Sequence, residues 1–211
     1  MFNRALSAIA PPACWACGAG ARRGEALCGG CRSSLRRLGP DLVHLTGVPV
    51  WAPVSYEGAA RGLVRGLKFR GAVGLAGPMA AQIAANAPSG LLSRPTVLVP
   101  VPLHPARRRR RGYNQAERLA AALAERTGLD VHDCLRRGGA PTRQVGRGRV
   151  ERLESPPAEV ALAPGARAPP DALLVDDVAT TGATLAACAA ALDRCESRWV
   201  MAVTFARTPG R

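Results

Sequence analysis

The segment at residues 173–185 constrains this chain more than any other part of the sequence. An apolar run ends in two adjacent carboxylates, Asp176 and Asp177, and a short Thr- and Gly-rich loop then leads into an apolar stretch at 185–192. The pattern predicts a buried strand, a tight loop and a helix. Because the first amides of a helix have no intrahelical acceptor and the helix dipole favours negative charge, the loop predicts an anion site.

The loop itself carries groups that can hold a phosphate. Threonine hydroxyls can donate to phosphate oxygens, and Gly182 allows close approach of the backbone. The two carboxylates would repel phosphate alone, but they can accept from hydroxyls or bind a divalent metal, so a sugar phosphate with a free diol fits. The alternative is that the carboxylates cap the loop and the threonines only start a helix. The candidate ligand-binding residues are Ala179, Thr180, Thr181, Gly182, Ala183 and Thr184.

Four of the seven cysteines form two CxxC pairs, Cys14 with Cys17 and Cys28 with Cys31. Two such turns supply the four soft ligands that tetrahedral zinc requires, so the spacing predicts a closed, structural zinc site in a module over residues 1–40. Two disulfides or a redox-active pair are the alternatives. We expect a reducing compartment, in which disulfides are rare. The remaining cysteines, Cys134, Cys188 and Cys195, are interpreted as small hydrophobic residues.

The composition indicates a soluble, strongly basic protein. The 211 residues carry a net charge of +14 and a pI of about 11.1, which favours either an anionic partner or a generally basic solvated surface. Hydrophobic residues make up 47%, and no run of 18 apolar residues is present, so we expect no membrane span. The apolar stretch at 5–10 is cut short by Pro11 and Pro12, which argues against a signal peptide and for a cytoplasmic protein.

Strand and helix patterns alternate along residues 41–211. This alternation predicts an α/β domain with a parallel sheet and flanking helices, the carboxylate loop lying at the carboxyl ends of the strands. Prolines in the first strand predict a sheet edge, and the polar stretch at 136–157 predicts a mobile loop. Besides the segment at 173–185, strands are predicted at 48–56, 97–102, 129–135 and 199–205, and helices at 57–67, 73–87 and 115–126.

A second anion pocket is predicted at residues 99–116. A strand end and a proline-rich loop lead into five consecutive arginines at 107–111, and Arg side chains bind phosphate oxygens at two points. On its own, such a run is usually a solvated surface. Lys68, the only lysine among 29 basic side chains, suits a place that requires a compact, mobile ammonium. We therefore add Lys68 and Arg111 to Asp176 and Asp177 as candidate catalytic residues.

Three blocks of the chain resemble the ComF/GntX family of phosphoribosyltransferase-like proteins. They are residues 67–71 (Leu-Lys-Phe-Arg-Gly), residues 99–104 together with 111–116, and the segment at 173–185, which looks like the signature of type I phosphoribosyltransferases. The two CxxC pairs are similar to that family's zinc module. One departure is the spacing between Thr142 and Gln144, which is one residue shorter than is usual in the family.

The resemblance implies a type I phosphoribosyltransferase fold that binds 5-phosphoribosyl-1-diphosphate (PRPP) with Mg²⁺. It implies that Asp176 and Asp177 hold the ribose hydroxyls, that the loop at 179–184 holds the 5′-phosphate, and that Arg111 and Lys68 neutralise the departing diphosphate. For many members it implies a part in DNA uptake during natural transformation, beside other competence proteins, and for some the binding of single-stranded DNA.

Two hypotheses about activity stay open at this point. The chain is either a phosphoribosyltransferase acting on an unidentified nucleobase or related acceptor, or a DNA-uptake protein that keeps a PRPP site and uses its basic face on DNA. Aromatic residues make up only 4% of the chain, so base stacking is poorly supplied. Contacts to DNA would therefore be mainly to phosphate, and their strength should fall steeply with salt.

Overall fold

A mostly parallel β-sheet of six strands forms the centre of the protein. The computed structural model describes residues 12–92, 96–138 and 159–209. Outside the sheet lies one antiparallel strand pair, β5 (Leu135–Arg137) with β6 (Val160–Leu162). The strands of the sheet, numbered in chain order, are β1 (Val43–Leu45), β2 (Val48–Trp51), β3 (Val54–Ser55), β4 (Val97–Pro100), β7 (Asp171–Ala179) and β8 (Trp199–Arg207).

Two of the described helices begin with a side-chain cap and end at a glycine in the left-handed conformation. The long helix at 115–127, for example, begins after Asn114, whose side chain accepts from the N–H of Ala116 at 3.1 Å, and ends at Gly128 in the left-handed conformation. A 3-10 turn at Val73–Leu75 precedes the third helix. The described helices are α1 (Gly29–Ser33), α2 (Gly58–Phe69), α3 (Ala76–Asn86), α4 (Pro105–Arg111), α5 (Gln115–Thr127) and α6 (Ala183–Asp193).

The strand order is β1-β2-β8-β7-β4, and β3 continues the line of β2 along β8. Only β1 and β2 pair antiparallel; the other pairs of this sheet are parallel. β7 lies between β4 and β8, and its residues Leu173, Leu174 and Val175 are fully buried. A strand covered on both faces needs apolar side chains in succession, which explains this uninterrupted run.

Helices cover both faces of the sheet. Leu173 and Val175 belong to a core formed with α2, α3 and α5, whereas Ala172 and Leu174 belong to a core on the opposite face with α6 and the β5–β6 pair. The prediction of an α/β fold with a mostly parallel sheet and flanking helices is confirmed. Within the described ranges, no helix is both long and apolar enough to cross a membrane.

Three local predictions are corrected by the structure. The segment at 48–56 does not form the sheet edge, because β1 pairs with β2 on its outer side. The predicted strand at 129–135 does not form as one element, because a single bridge joins Val131 to Leu98 of β4 and Leu135 already begins β5. Arg136 and Arg137 lie in β5 and not in a loop, while residues 139–158, with the Thr142–Gln144 departure, fall outside the described residues.

The cysteine-bearing segment contacts α2 at two glycines. A Cβ atom added at Gly62 would lie 2.7 Å from Ala16 Cα, and one added at Gly66 would lie 2.9 Å from Trp15 Cε3. The buried residue Cys14 also belongs to the same apolar core as α2. The backbone between the first two cysteines therefore lies directly on the helix, and only glycine leaves room for it.

Replacement of Gly62 by Ala should destabilise the protein, because the new methyl group would meet backbone atoms that cannot rotate away. We expect the free energy of unfolding to fall by about 1–3 kcal/mol, measured by urea denaturation. Gly77→Ala on α3 is the matched control, since a Cβ there meets nothing within 4 Å. It should stabilise the helix by up to about 1 kcal/mol; equal responses of the two variants would contradict the close contact at Gly62.

Candidate functional site

The end of β7 brings two carboxylates to the edge of the sheet where the parallel strands finish. Asp176 aligns with Thr204 of β8, and the preceding residue, Val175, aligns with the last residue of β4. Just past that residue, the N–H of Val101 donates to the carbonyl oxygen of Val175 at 3.0 Å. Ligands of parallel α/β sheets bind at this edge, outside the carboxyl ends of the strands.

Asp177 is fully buried and lies against a single ammonium group. Lys68 Nζ is 3.0 Å from Asp177 Oδ2, and the two groups form an ion pair. Apart from this ion pair, neither carboxylate oxygen of Asp177 has a hydrogen-bond partner among the described residues. Buried polar atoms are almost always hydrogen-bonded in folded proteins, so this carboxylate retains the capacity to accept from a ligand.

Asp176 lies beside it in a half-buried position. Its Oδ1 accepts a hydrogen bond from the backbone N–H of Asp177 at 2.8 Å. Burial raises the pKa of Asp176 well above its usual range, and the neighbouring charge of Asp177 raises it further, against the opposing effect of Lys68. The two carboxylates therefore repel each other, and a ligand that donates hydrogen bonds to them can offset this repulsion.

Lys68 reaches this pair because of the way α2 ends. The helix buries Leu63, Val64 and Leu67 against the sheet, and Lys68 follows in its last turn. Its side chain is 23% exposed while the ammonium pairs with Asp177. The catalytic role assigned to Lys68 stays a prediction.

Arg111 is held near the same carboxylates at the end of α4. That helix begins at His104, whose Nδ1 accepts from the N–H of Ala106 at 3.2 Å, and it ends at Gly112 in the left-handed conformation. The guanidinium lies 5.5 Å from the ring centroid of Phe69. Burial lowers the pKa of Arg111, whereas the negative charge of Asp177 acts in the opposite direction. The side chain is thus close enough to respond to that carboxylate.

The residues that follow Arg111 in the sequence hold the surrounding elements together. The Tyr113 hydroxyl donates to the carbonyl oxygen of Leu67 at the end of α2, and Gln115 accepts from the Arg111 guanidinium. Asn114 caps α5 and also donates to the carbonyl oxygen of Val101 at 3.0 Å. This motif therefore orients Lys68 and Arg111 by fixing the backbone around them.

The loop between β7 and α6 is held in place by the turn of the β1–β2 hairpin. Thr46 Oγ1 donates to the carbonyl oxygen of Thr181 at 2.9 Å. Gly182 has a φ of 81°, and a Cβ there would lie 2.5 Å from Leu45 Cβ, so only glycine fits. The Ala183 N–H donates to Thr181 Oγ1 at 3.4 Å, and the Ala186 N–H donates to the Gly182 oxygen. The amides between these two, of Thr184 and Leu185, can therefore donate to an anion.

The structure thus brings Asp176, Asp177, Lys68 and Arg111 to one edge of the sheet, with the loop at 179–184 beside them. Thr180, Thr181 and Ala183 are exposed there, while Ala179 and Gly182 are buried. The roles assigned to these residues stay predictions.

Arg137 is a further cation at the site, and sequence reasoning missed it. Burial lowers the pKa of its guanidinium, as does the positive charge of Arg107, while Cys188 and Asp176 oppose the change. Arg137, which belongs to β5, therefore lies near Asp176. The signal that could have found it is the alternation of buried Leu135, exposed Arg136 and half-buried Arg137, which is a strand period inside the stretch interpreted as a loop.

The four cysteines of the CxxC pairs form a cluster whose geometry suits a metal ion. Their sulfur atoms all lie within 4.8 Å of one another, and Cys17 Sγ is 3.8 Å from Cys28 Sγ. Four sulfurs placed about 2.3 Å from a tetrahedral zinc ion lie about 3.8 Å apart. The prediction that these cysteines come together is confirmed, and the cluster could hold a metal.

The protonation of these thiols shows why a cation would be favourable. Burial acts to raise the pKa of Cys14, but backbone N–H groups of Cys17, Cys28 and Ala16 outweigh it and lower the pKa to about 6. The pKa of Cys31 rises, first because of its hydrogen bond with Cys17 and then because of burial. The first thiolate of the cluster therefore forms readily, whereas formation of a second is unfavourable. A divalent cation bound to the sulfurs would stabilise both thiolates.

Comparisons with known proteins find similarity in structure but not in sequence. No protein-family model matches the chain, and no curated protein matches it. The crystal structure of a hypoxanthine phosphoribosyltransferase from Staphylococcus aureus is similar at a TM-score of 0.37 and 18% sequence identity. The similarity covers 64% of this chain and 62% of that chain, less than two thirds of its length. Function is therefore inferred below from the residues of this chain alone.

Replacement of Asp176 by Asn should raise stability at neutral pH. A folded-state pKa above the unfolded value makes the folded protein bind more protons, so wild-type stability falls as pH rises above about 4, the ordinary Asp value. The Asn variant lacks this penalty and should melt higher near neutral pH, with the difference vanishing towards about pH 4. For a chain of this size, about 1 kcal/mol corresponds to a shift in Tm of roughly 2–4 °C.

Thermal melts across this pH range test the prediction. Asp41→Asn is the control, because Asp41 is an exposed carboxylate; its Tm should follow that of the wild type at each pH. A lower Tm for Asp176→Asn at neutral pH would mean that the carboxylate is favourably paired in the native protein.

The cysteine cluster should bind one divalent metal ion per chain. We expect Cys17→Ser and Cys28→Ser to lose the metal and to melt at a lower temperature, because four thiolate ligands are needed to close the site. Elemental analysis and thermal melts with and without a chelator measure both effects. Cys195→Ser is the matched control, since that exposed thiol lies outside the cluster; a metal content that depends on Cys195 would contradict the assignment.

Proposed function

We propose that the protein binds PRPP with Mg²⁺ at the carboxyl ends of β4 and β7, as a phosphoribosyltransferase-like protein of the ComF/GntX type. The observation that carries this proposal is Asp177, a fully buried carboxylate that pairs with the Lys68 ammonium, next to Asp176 and one loop away from the amino terminus of α6. A ligand that fits must offer hydroxyl donors and an anion at once.

A ribose diol supplies what the two carboxylates lack. Its two hydroxyls would donate to the oxygens of Asp176 and Asp177, and that contact favours the ionised form of Asp176, whose pKa is raised in the free protein. Burial of Asp177 makes each such hydrogen bond strong, because hydrogen bonds to charged groups away from water contribute about 1.5–3 kcal/mol. Small movements at the end of β7 would be needed to admit the sugar.

The 5′-phosphate would lie on the loop at 179–184. The exposed hydroxyls of Thr180 and Thr181, the hydroxyl of Thr184 and the first amides of α6 can all donate to its oxygens. The hydrogen bond from Thr46 to the Thr181 carbonyl fixes the loop before ligand arrives. A site that is already ordered loses less conformational entropy on binding.

The diphosphate would lie between Lys68 and Arg111. Lys68 pairs with Asp177 in the free protein, the charge of Asp177 acts on Arg111, and Arg107 and Arg137 add positive charge nearby. Mg²⁺, which prefers phosphate and carboxylate oxygens, would be held by the diphosphate and the diol with Asp176 or Asp177 beside it. The four-cysteine cluster would hold zinc in a structural role.

If the protein turns over PRPP, the chemistry is displacement of diphosphate at the anomeric carbon of ribose. The bond from that carbon to the diphosphate oxygen breaks, the electron pair leaves with the diphosphate, and the acceptor forms the new bond. Asp176 and Asp177 would stabilise the positive charge that develops on the sugar, and Lys68 and Arg111 the negative charge on the leaving group.

The exposed arginines of α4 favour a second candidate, a DNA-uptake protein that binds single-stranded DNA. Arg107, Arg109 and Arg110 are exposed on one short helix, and none of the described salt bridges includes them. Contacts of this kind go to phosphate, and affinity should fall steeply with salt concentration. A competence role with other proteins of the uptake machinery rests on the sequence resemblance.

Calorimetric titration of PRPP with Mg²⁺ tests the main proposal. We expect binding by the wild type and at least about a tenfold loss for Asp176→Asn/Asp177→Asn, because two charge-assisted contacts disappear. Asp171→Asn is the matched control: it changes a carboxylate at the opposite end of the same strand, where Asp171 lies near Arg198. Ribose 5-phosphate and inorganic diphosphate, titrated separately, divide the affinity between the two pockets.

The outcomes separate the candidates. The proposal is supported if the double variant loses PRPP binding and Asp171→Asn keeps it. Release of diphosphate in the presence of candidate acceptors would then establish turnover. No binding of PRPP by folded, metal-loaded wild type would refute it. In that case, salt-dependent binding of an oligonucleotide that is lost on replacement of Arg107, Arg109 and Arg110 by Ala would establish the second candidate.

A further inference from the structure

The face of α2 that meets the cysteine cluster is shaped for one side chain and one stretch of backbone. A Cβ added at Gly66 would lie 2.9 Å from the Trp15 ring, and one added at Gly62 would lie 2.7 Å from Ala16 Cα. The same Cβ at Gly66 would lie 2.6 Å from Leu75 Cδ1. The last two turns of α2 are therefore in close contact with Trp15, Ala16 and the 3-10 turn that leads into α3.

Trp15 itself is fixed by the cluster on which it lies. Trp15 follows Cys14 directly in the chain. Its backbone N–H donates to the carbonyl oxygen of Ala26 at 3.0 Å, and the backbone N–H of Gly18 donates to the carbonyl oxygen of Cys14 at 2.9 Å. The other end of this turn is Cys17, whose sulfur lies 3.8 Å from that of Cys28. A metal ion held by these sulfurs would thus set the position of the indole ring relative to α2.

The turn of α2 on which Trp15 lies is the one that carries Lys68. The Gly66 carbonyl oxygen accepts from the N–H groups of Arg70 and Ala72, at 3.2 and 3.3 Å, so Gly66 also fixes the way the chain leaves the helix. Lys68 lies between these residues and places its Nζ 3.0 Å from Asp177 Oδ2. A shift of the backbone at Gly66 would move the ammonium relative to a carboxylate that is wholly buried.

We infer that Trp15 is a positioning residue for Lys68, and that the cysteine cluster thereby sets the affinity of the PRPP site. The inference rests on the proposed function for its effect on ligand affinity, but the mechanical part stands on the contacts of Trp15, Gly66 and Lys68 alone. The metal would then act at a distance from the ligand, through one aromatic ring and one turn of helix.

The competing interpretation is that Trp15 only fills space in the core. Both interpretations predict that Trp15→Ala lowers stability, so stability cannot separate them. They differ in whether the effect passes through the Lys68 ammonium. A double-mutant cycle with Lys68→Ala measures this, because a residue that acts only through Lys68 has no further effect once the ammonium is gone.

The first measurement is the affinity for PRPP with Mg²⁺ in the full-length, metal-loaded protein. We expect Trp15→Ala to weaken binding about tenfold, Trp15→Phe to restore most of it, and Trp15→Ala to have no effect in the Lys68→Ala background. Trp199→Ala is the matched control, since it removes the same side chain at the amino end of β8, away from the site. It should leave the affinity unchanged.

The second measurement needs no ligand. Lys68 is the only lysine of the chain, so modification of a lysine amino group reports on this side chain alone. The rate at which an acetylating reagent modifies its amino group, followed by mass spectrometry, reports how well the ammonium is held against Asp177. Modification should be several-fold faster in Trp15→Ala than in the wild type or in Trp199→Ala. It should also become faster when a chelator removes the metal from the wild type, which provides the test if Trp15→Ala does not fold.

Each outcome decides the inference. Faster acetylation of Lys68 after loss of the ring or the metal supports it, and an unchanged rate in both overturns it. If PRPP binds, an effect of Trp15→Ala that persists in the Lys68→Ala background also overturns it. If the wild type binds no PRPP, the proposed function fails, while the acetylation rates still show whether Trp15 positions Lys68.

Discussion

The ion pair between Lys68 and Asp177 is the interaction on which the arrangement of the site depends. A carboxylate that is fully excluded from water costs several kcal/mol unless a cation accompanies it, and Lys68 Nζ, at 3.0 Å, supplies that cation. Because Lys68 belongs to α2 and Asp177 to β7, the pair joins a helical layer to an inner strand of the sheet. Beyond this pair, neither oxygen of Asp177 has a hydrogen bond among the described residues, so the free protein keeps part of the desolvation cost that a ligand with hydroxyl groups would relieve.

The remaining contacts hold this pair in a site that is already ordered. Tyr113 donates to the last turn of α2, Thr46 donates to the loop after β7, and Asn114 joins the start of α5 to the end of β4. None of these three side chains carries charge, and each fixes backbone that presents a charged or phosphate-binding group. The site therefore depends as much on neutral hydrogen bonds to carbonyl oxygens as on its four charged residues.

Sequence patterns predict the centre of this fold well and its periphery poorly. The strand and helix around Asp176 were predictable because a buried parallel strand and an apolar helix both leave long, regular signals. The hairpin at Thr46 and Gly47 was missed because each of its strands has only three or four residues. The strand expected at 129–135 is divided, because Val131 bridges to Leu98 of β4 whereas Leu135 pairs with β6. The contact of Trp15 with Gly66 joins residues far apart in the chain, and no local pattern reports it.

The two glycines of α2 have a consequence for how this protein can change over time. As long as the Trp15–Ala16 turn lies on the helix, a side chain at Gly62 meets the backbone of Ala16, and one at Gly66 meets the Trp15 ring and Leu75. If a lineage lost the cysteine pairs, the steric constraint on Gly62 and Gly66 would disappear. Alanine would then be favoured at both positions, because it stabilises a helix more than glycine does. Cysteines at 14, 17, 28 and 31 and glycines at 62 and 66 should therefore be inherited, and lost, as one set.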